Sequence, residues 1–258
     1  MENNNNKLCF VICHRYNKKY KSYIKYYIDN IQKFYKDSFV LLVDNNSPDT
    51  EFLKQFENYK NMKIITNNSL SKRELGAYNE GIRYIKQHNL LLEYEYFIFS
   101  QDTFVLKNKF DVKKELSSKD ILACSFVKID SAAFSNSTEM LDTESVKILK
   151  KINCFDKREK FNICWANSFI LHKSKVMDYY EIVKDKIVIT KRHGCVYERY
   201  LSGILYYLNN YNYVSLLPPC SSAYGHIMFA ELGYNCFNVD LENVKIDSYF
   251  VKRSQNKI

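Results

Sequence analysis

Glycine and proline are scarce in this chain of 258 residues, at 6 and 3. So few breakers argue against low-complexity linkers and favour one continuous domain. No CxxC pair occurs among the 8 cysteines, which are Cys9, Cys13, Cys124, Cys154, Cys164, Cys195, Cys220 and Cys236. Cys9 and Cys13 stand one helical turn apart without a second pair, which disfavours a zinc site. Several cysteines lie inside apolar runs, as reduced and buried thiols do. No apolar segment reaches the length that spans a bilayer. The opening MENNNNK has no apolar stretch, so it predicts a disordered tail over 1–7 and no signal peptide. A soluble, cytoplasmic protein is the expectation. No GxGxxG follows the first apolar run, which disfavours a dinucleotide oxidoreductase. The formal charge is +9, yet no block of like charges and no nucleic-acid module is present. Scattered cations of this kind read as a solvated basic surface, and nucleic acid is not an expected partner.

What is present is ample core material: hydrophobic residues make up 46% and aromatics 16%. Residues 8–12 (LCFVI) are a continuous apolar run, the pattern of a strand covered on both faces. Over 20–35, Tyr23, Ile24, Tyr27, Ile28, Ile31 and Phe34 recur at helical spacing. The run at 39–43 (FVLLV) ends in DNNSPD, a turn signal that also starts a helix over 51–59. A third strand at 63–66 leads through a polar loop, 67–72, to a helix over 73–88. A fourth apolar run, 96–99, stops at Ser100-Gln101-Asp102. Strand alternates with helix, and the strands are too apolar to face water. The pattern predicts an α/β fold: one domain with a mostly parallel sheet, helices on both faces and right-handed crossovers. The second half is less regular. It reads as a strand over 121–127, a small-residue loop over 131–136 and a strand or strand pair over 163–171. Helices are predicted over 142–152, 173–183 and 196–208, and a short strand over 213–217.

Five places could carry chemistry. Asp102 ends a buried strand, where open α/β sheets bind ligands, and a hard cation there could join it to a diphosphate; a turn cap explains it as well. Asp44, also at a strand end, can accept from a pyrimidine base or a ribose, or simply cap the turn with Asn46, Ser47 and Asp49. In NNSLSKRELGAYNEGI, Arg73 can pair with a phosphate, and the small Gly76-Ala77 pair permits close approach by a ligand or by the sheet. Glu198, at the start of an apolar helix, is dipole compensation or a general base. Lys191-Arg192-His193-Gly194 before it adds cations and a flexible hinge. His226 is a metal ligand or an ordinary surface histidine. Tyrosines and Trp165 in the second half could stack on sugar rings, though aromatics this frequent fill cores too.

In this order the pieces resemble the nucleotide-sugar glycosyltransferases of the GT-A fold, and among them the family 2-like enzymes. VLLVDNNSPD is similar to that family's V-D-D-G-S-x-D segment. NNSLSKRELGAYNEGI is similar to its N-x-G-x-x-x-A-x-N-x-G-I segment, and FIFSQDTFVL to its D-x-D strand end. The resemblance covers residues 8–110 well and the remainder loosely. It implies a GT-A-type, Rossmann-like sheet whose 8–110 half binds the nucleotide sugar. Residues 111–258 would form the acceptor-binding and catalytic half. Asp44 would contact the base and Arg73 the diphosphate, with His14, Arg15, Asn46, Asn68, Gly76, Asn79 and Gln101 completing the nucleotide pocket. Asp102 and His226 would hold Mn²⁺ or Mg²⁺. Glu198 would deprotonate an acceptor hydroxyl on a glycan or glycoconjugate, with inversion. The donor implied is a UDP-sugar first, or a dTDP- or GDP-sugar.

The chain departs from the family at Ser100, which replaces the first acid of D-x-D, and at Asn45, which replaces the second of V-D-D. It also has no Q-x-x-R-W and no membrane span, which argues against a processive polymer synthase. A sugar nucleotidyltransferase would carry a glycine-rich loop where this chain has CHRYNKKYK. A non-catalytic nucleotide- or carbohydrate-binding protein on the same fold stays open because of Ser100.

Overall fold

The computed structural model describes residues 7–16, 21–116, 120–123, 126–127, 141–155, 163–164, 167–212, 215–216, 227–228 and 250–252. The first half runs β1 (Leu8–His14), α1 (Lys21–Phe34), β2 (Phe39–Asp44), a 3-10 helix (Glu51–Phe56), β3 (Met62–Thr66) and α2 (Arg73–Gln87). It continues through α3 (Leu90–Glu93), β4 (Tyr96–Gln101), β5 (Phe104–Leu106) and α4 (Val112–Leu116). Then come β6 (Ile121–Ala123), β7 (Phe126–Val127), α5 (Thr143–Lys151), β8 (Ile163–Cys164), β9 (Phe169–His172), α6 (Lys173–Val183) and α7 (Lys191–Leu208). Short strands β10 (Ser215–Leu216), β11 (Ile227–Met228) and β12 (Phe250–Lys252) follow.

Seven strands make the central sheet, in the order β10-β6-β9-β4-β1-β2-β3. β1 pairs in parallel with β2 and β4, and β2 with β3, while β9 runs antiparallel to both β4 and β6. Alternation along β1 builds both layers, since successive side chains of a strand point to opposite faces. Leu8, Phe10 and Ile12 pack with Ile24, Tyr27, Ile28 and Ile31 of α1. Cys9, Val11 and Cys13 pack with Leu75, Tyr78, Ile82 and Ile85 of α2, and α6 and α7 complete that layer. This is a mostly parallel sheet with helices on both faces, in one domain. Every residue of β1 is buried, which is why the strand reads as an unbroken apolar run.

Behind the ends of β4 and β9 lies an aromatic block. Phe99 stacks on Phe169 at 4.9 Å between centroids, and Tyr78 and Tyr179 close around the pair. Such ring pairs each add about 0.5–1.5 kcal/mol beyond the area they bury. Tyr78 also donates to the Asn167 carbonyl at 2.8 Å, so its hydroxyl is satisfied inside the core.

Several expected boundaries move, each for a local reason. The helix expected over 51–59 is a single 3-10 segment, started by Asp49, which accepts from Glu51 N at 2.9 Å. The strand expected over 121–127 divides: β6 enters the central sheet, and β7 pairs with β8. The run 163–171 is a strand pair, β8 and β9, in two different sheets. The helix expected from 196 begins at Lys191, because the Thr190 hydroxyl accepts from His193 N at 3.2 Å and caps it. Lys191-Arg192-His193-Gly194 is therefore the first turn of α7 and not a hinge, and Glu198 lies inside the helix. Among the described residues no helix is long and apolar enough to cross a membrane.

Candidate active site

The chain leaves β1 for β2 and β3 on one side, then returns to β4 on the other side of β1. At such a reversal the loops after the strands part and leave a crevice at their carboxyl ends. A cleft of about 350 Å³ opens there, lined by Cys13 near the end of β1 and Arg15 after it, Asn45 and Asn46 after β2, and Gln101 at the end of β4 with Asp102 and Thr103 after it. Lys72, Arg73 and Glu74 at the start of α2, with Ile189, form the remaining wall.

Asp102 is fixed from three sides. Its amide donates to the Cys13 carbonyl at 3.0 Å, extending the β1–β4 pairing by one residue. Its Oδ2 accepts from Arg15 N at 3.0 Å and from His14 Nδ1 at 2.9 Å. Oδ1 carries no hydrogen bond among the described residues. His14 is buried and its Nε2 has no partner. One carboxylate oxygen facing a cleft suits a hard cation that takes its other ligands from water and phosphate. Among the described residues no group of three or more His, Cys, Asp or Glu side chains could hold a metal. A metal here would rest on Asp102 alone within the described chain; His226 lies outside the described residues.

Ser100 is only 1% exposed, and its Oγ sits 2.9 Å from the Tyr27 hydroxyl, on the α1 side of the sheet. It does not face the cleft. Gln101 does: its Nε2 donates to Glu74 Oε1 at 2.9 Å, and its Oε1 accepts from the Thr103 hydroxyl at 2.9 Å.

The loop wall after β2 and β3 is a closed polar network. Asp44 is 2% exposed and accepts from Ser47 N at 3.1 Å and from the Ser47 hydroxyl. Ser47 Oγ in turn accepts from Tyr16 N at 2.7 Å, which ties the β1 loop to the β2 loop. Asn67, fully buried, donates to Asn45 Oδ1 and to the Ser71 carbonyl, both at 2.8 Å, and its Oδ1 accepts from Ser69 N and Oγ. Asn46, at φ 58°, donates to the Asn67 carbonyl at 3.1 Å.

Arg73 differs. It holds φ 57°, a left-handed conformation that costs a side-chain-bearing residue about 1–2 kcal/mol. Its Nε is buried without a partner among the described residues. Gly194 of α7 makes the room: a methyl on it would lie 3.2 Å from Arg73 Cδ. The cleft thus has three cations, Arg15, Lys72 and Arg73, against two acids, Glu74 and Asp102. Those two acids, together with burial, which acts most strongly, push the Cys13 thiol well up, so it stays neutral.

Of the expected site residues, Arg15, Asn46, Arg73, Gln101 and Asp102 line this cleft, and His14 supports it through Asp102. His226 lies outside the described residues, and Asp44, Asn68, Gly76, Asn79 and Glu198 do not line the cleft. Gly76 gives its space to its own loop, since a methyl there would meet the Ser71 carbonyl oxygen at 1.9 Å. Asn79 is in the core, its Nδ2 3.5 Å from the Val183 carbonyl. Asn68 is exposed, while its neighbour Asn67 organises the loop. Glu198 is half-buried on α7 and does not line the cleft. Burial raises the Cys195 thiol first and the Glu198 charge raises it further, while Arg199, Lys191 and Arg73 lower it. The lining residues missed in sequence are Cys13, Asn45, Lys72, Glu74, Thr103 and Ile189. Glu74 had a signal, an acid in a helix's first turn, but that pattern usually reports dipole compensation.

No family model matches the sequence. No curated protein matches it either. Among solved structures, one similar chain is a mannosyltransferase from Pyrobaculum calidifontis in complex with GDP-Man and Mn2+. It is 12% identical, with a TM-score of 0.42, over 68% of this chain and 46% of that one. This chain therefore spans under half the length of that enzyme.

Proposed function

We propose that this chain is a glycosyltransferase that moves a sugar from a nucleotide diphosphate sugar, a UDP-sugar first, to a hydroxyl of a glycan or glycoconjugate, with inversion. The observation that carries the reading is the cleft at the strand-order reversal. It joins Arg73, whose backbone is left-handed and whose Nε has no partner among the described residues, to Asp102, a carboxylate with one oxygen unbonded among them. A diphosphate satisfies both, the first directly and the second through a divalent ion. Residues 8–110 form the donor half and 111–258 the acceptor half.

In this reading Arg73 and Arg15 hold the diphosphate, and Asn45 and Asn46 face the nucleoside. When Mn²⁺ or Mg²⁺ is bound at Asp102, it offsets charge that grows on the leaving diphosphate. The acceptor oxygen bonds to the anomeric carbon as the bond to diphosphate breaks and the nucleotide leaves with the electron pair. The acceptor's proton passes to the Glu198 carboxylate. A positioned base contributes on the order of 10²–10⁴-fold.

Calorimetry with UDP, with and without Mn²⁺, tests this, followed by a panel of UDP-, dTDP- and GDP-sugars scored for transfer and hydrolysis. Binding strengthened by Mn²⁺ is expected, and absence of nucleotide binding in either condition overturns the proposal. Asp102→Ala abolishes the metal-dependent part of the binding. Glu198→Gln leaves binding intact and removes transfer; unchanged turnover assigns the base elsewhere.

A further inference from the structure

Residues 184–190 join α6 to α7 along the rim of the cleft. They are tied to the loop before α2: Lys72 N donates to the Val188 carbonyl at 2.6 Å, and Val188 N donates to the Ser71 hydroxyl at 3.0 Å. Burial alternates along the stretch. Lys186 and Val188 turn inward, at 2% and 0% exposure, so Ile187 and Ile189 turn outward, at 45% and 57%. Leu70, on the loop bonded to them and next to Ser71, is 77% exposed. A single exposed aliphatic side chain is ordinary on a protein surface. Here three stand on two segments bonded to each other, and Ile189 also lines the cleft. Among the described residues one other leucine or isoleucine, Leu92, is exposed.

Charge selects what covers them. Residues 184–192 carry four cations and one acid, Asp185. Lys186 is taken up inside by Asp142 and Glu144, and Lys184 bonds to Glu181. Lys191 and Arg192 are exposed on the first turn of α7, two and three residues past Ile189. Aliphatic groups bordered by cations complement a surface with acyl chains below and anionic headgroups above. The net charge of +9 draws the whole chain toward the same surface. A second copy of this chain would instead set cations against cations.

We propose that the rim of the cleft is a docking surface for an anionic bilayer. Leu70, Ile187 and Ile189 enter the boundary between headgroups and acyl chains, and Lys191 and Arg192 hold the headgroups. Because Ile189 belongs to both the patch and the cleft, docking sets the mouth of the cleft at the lipid surface. The inference stands whatever the cleft binds.

The test mixes the full chain with vesicles of phosphatidylcholine alone, or of equal parts phosphatidylcholine and phosphatidylglycerol, and reads the bound fraction by flotation. Binding to the anionic vesicles is expected, weakening as salt is raised. Leu70→Ser combined with Ile187→Ser keeps every charge, and is expected to cut the partition roughly 10–100-fold with an unchanged melting temperature. Lys191→Gln combined with Arg192→Gln keeps the aliphatic groups, and is expected to cut it roughly 10–30-fold. Equal binding by the serine pair and the unaltered protein overturns the proposal, because net charge alone then carries the attraction. Absence of binding to the anionic vesicles overturns it as well. A dimer in solution that the serine pair dissociates gives the patch to a second copy, and a lower melting temperature in that pair gives it to the fold itself; either result overturns the proposal.

Discussion

The two walls of the cleft differ in how they treat their polar groups. In the loops after β2 and β3, Asp44, Asn45, Ser47, Asn67 and Ser69 bond to one another and to nearby backbone. At the start of α2, Arg73 keeps a left-handed backbone and a buried Nε with no partner among the described residues. A satisfied network stiffens the chain, and an unsatisfied one waits for a ligand. The difference separates a wall whose polar groups are matched within the chain from one where Arg73 Nε is unmatched among the described residues. Asp44 falls on the matched side: its carboxylate holds Ser47, and through Ser47 the loop after β1.

Asn67→Ala strikes the closed wall, and it carries the largest expected effect. It strands the buried Asn45 Oδ1 and Ser69 N and takes one of two donors from the Ser71 carbonyl, which keeps the Ser69 hydroxyl at 2.8 Å, so a loss of about 3 kcal/mol follows. Thermal melting should fall by roughly 6–12 °C. Asn68→Ala, one residue on and exposed, should stay within about 0.5 kcal/mol. Equal effects in the two variants would erase the contrast between the walls.

Arg73→Gly strikes the open wall, and it should act in opposite directions on two readouts. UDP affinity falls by roughly 10–100-fold with the lost charged contacts. Melting rises by an amount worth about 1 kcal/mol, since glycine adopts a positive φ without strain. A lower melting temperature would show that the guanidinium is scaffold after all.

The smallest effect concerns the strap that closes the cleft from the α7 side. Lys186, buried, reaches Asp142 at 2.5 Å and Glu144 at 3.2 Å, and nearby Val188 is bonded to Ser71 and Lys72. Burial works to raise the Asp142 carboxyl, but hydrogen bonds from Lys186 and Ser145 outweigh it and hold it below the usual range. A lowered folded-state pKa gives stability that is present above the unfolded value, about 3.9, and is lost as pH falls through the folded one. Melting measured against pH should therefore drop below about pH 4. Asp142→Asn, which keeps the helix cap, should flatten that drop. An identical acid slope in both proteins would detach Asp142 from the strap.

The parallel half of the sheet was legible because its strands are buried on both faces and so read as unbroken apolar runs ending in polar turns. The carboxylate at 102 was legible for the same reason: a run that stops abruptly marks a strand end. The start of α7 was not, because the capping Thr190 is followed by cations and a glycine that read as a loop. Gly76 and Asn79 share the helix that Arg73 opens, but sequence spacing cannot tell the face toward the cleft from the face toward Ser71 and Val183. Glu74 escaped notice because its contact is with Gln101, 27 residues away, whose amide meets it only in the folded chain.

Ser100 and Tyr27 bear on how this chain could change. Their hydroxyls meet inside the layer between β4 and α1, out of reach of solvent. A carboxylate at 100 would meet the Tyr27 hydroxyl as a donor, but it would carry a full charge into a layer closed to water, and burying a charge on so little compensation is costly. A second acid at this strand end would thus be felt first as lost stability in the layer between β4 and α1, whatever it offered the cleft.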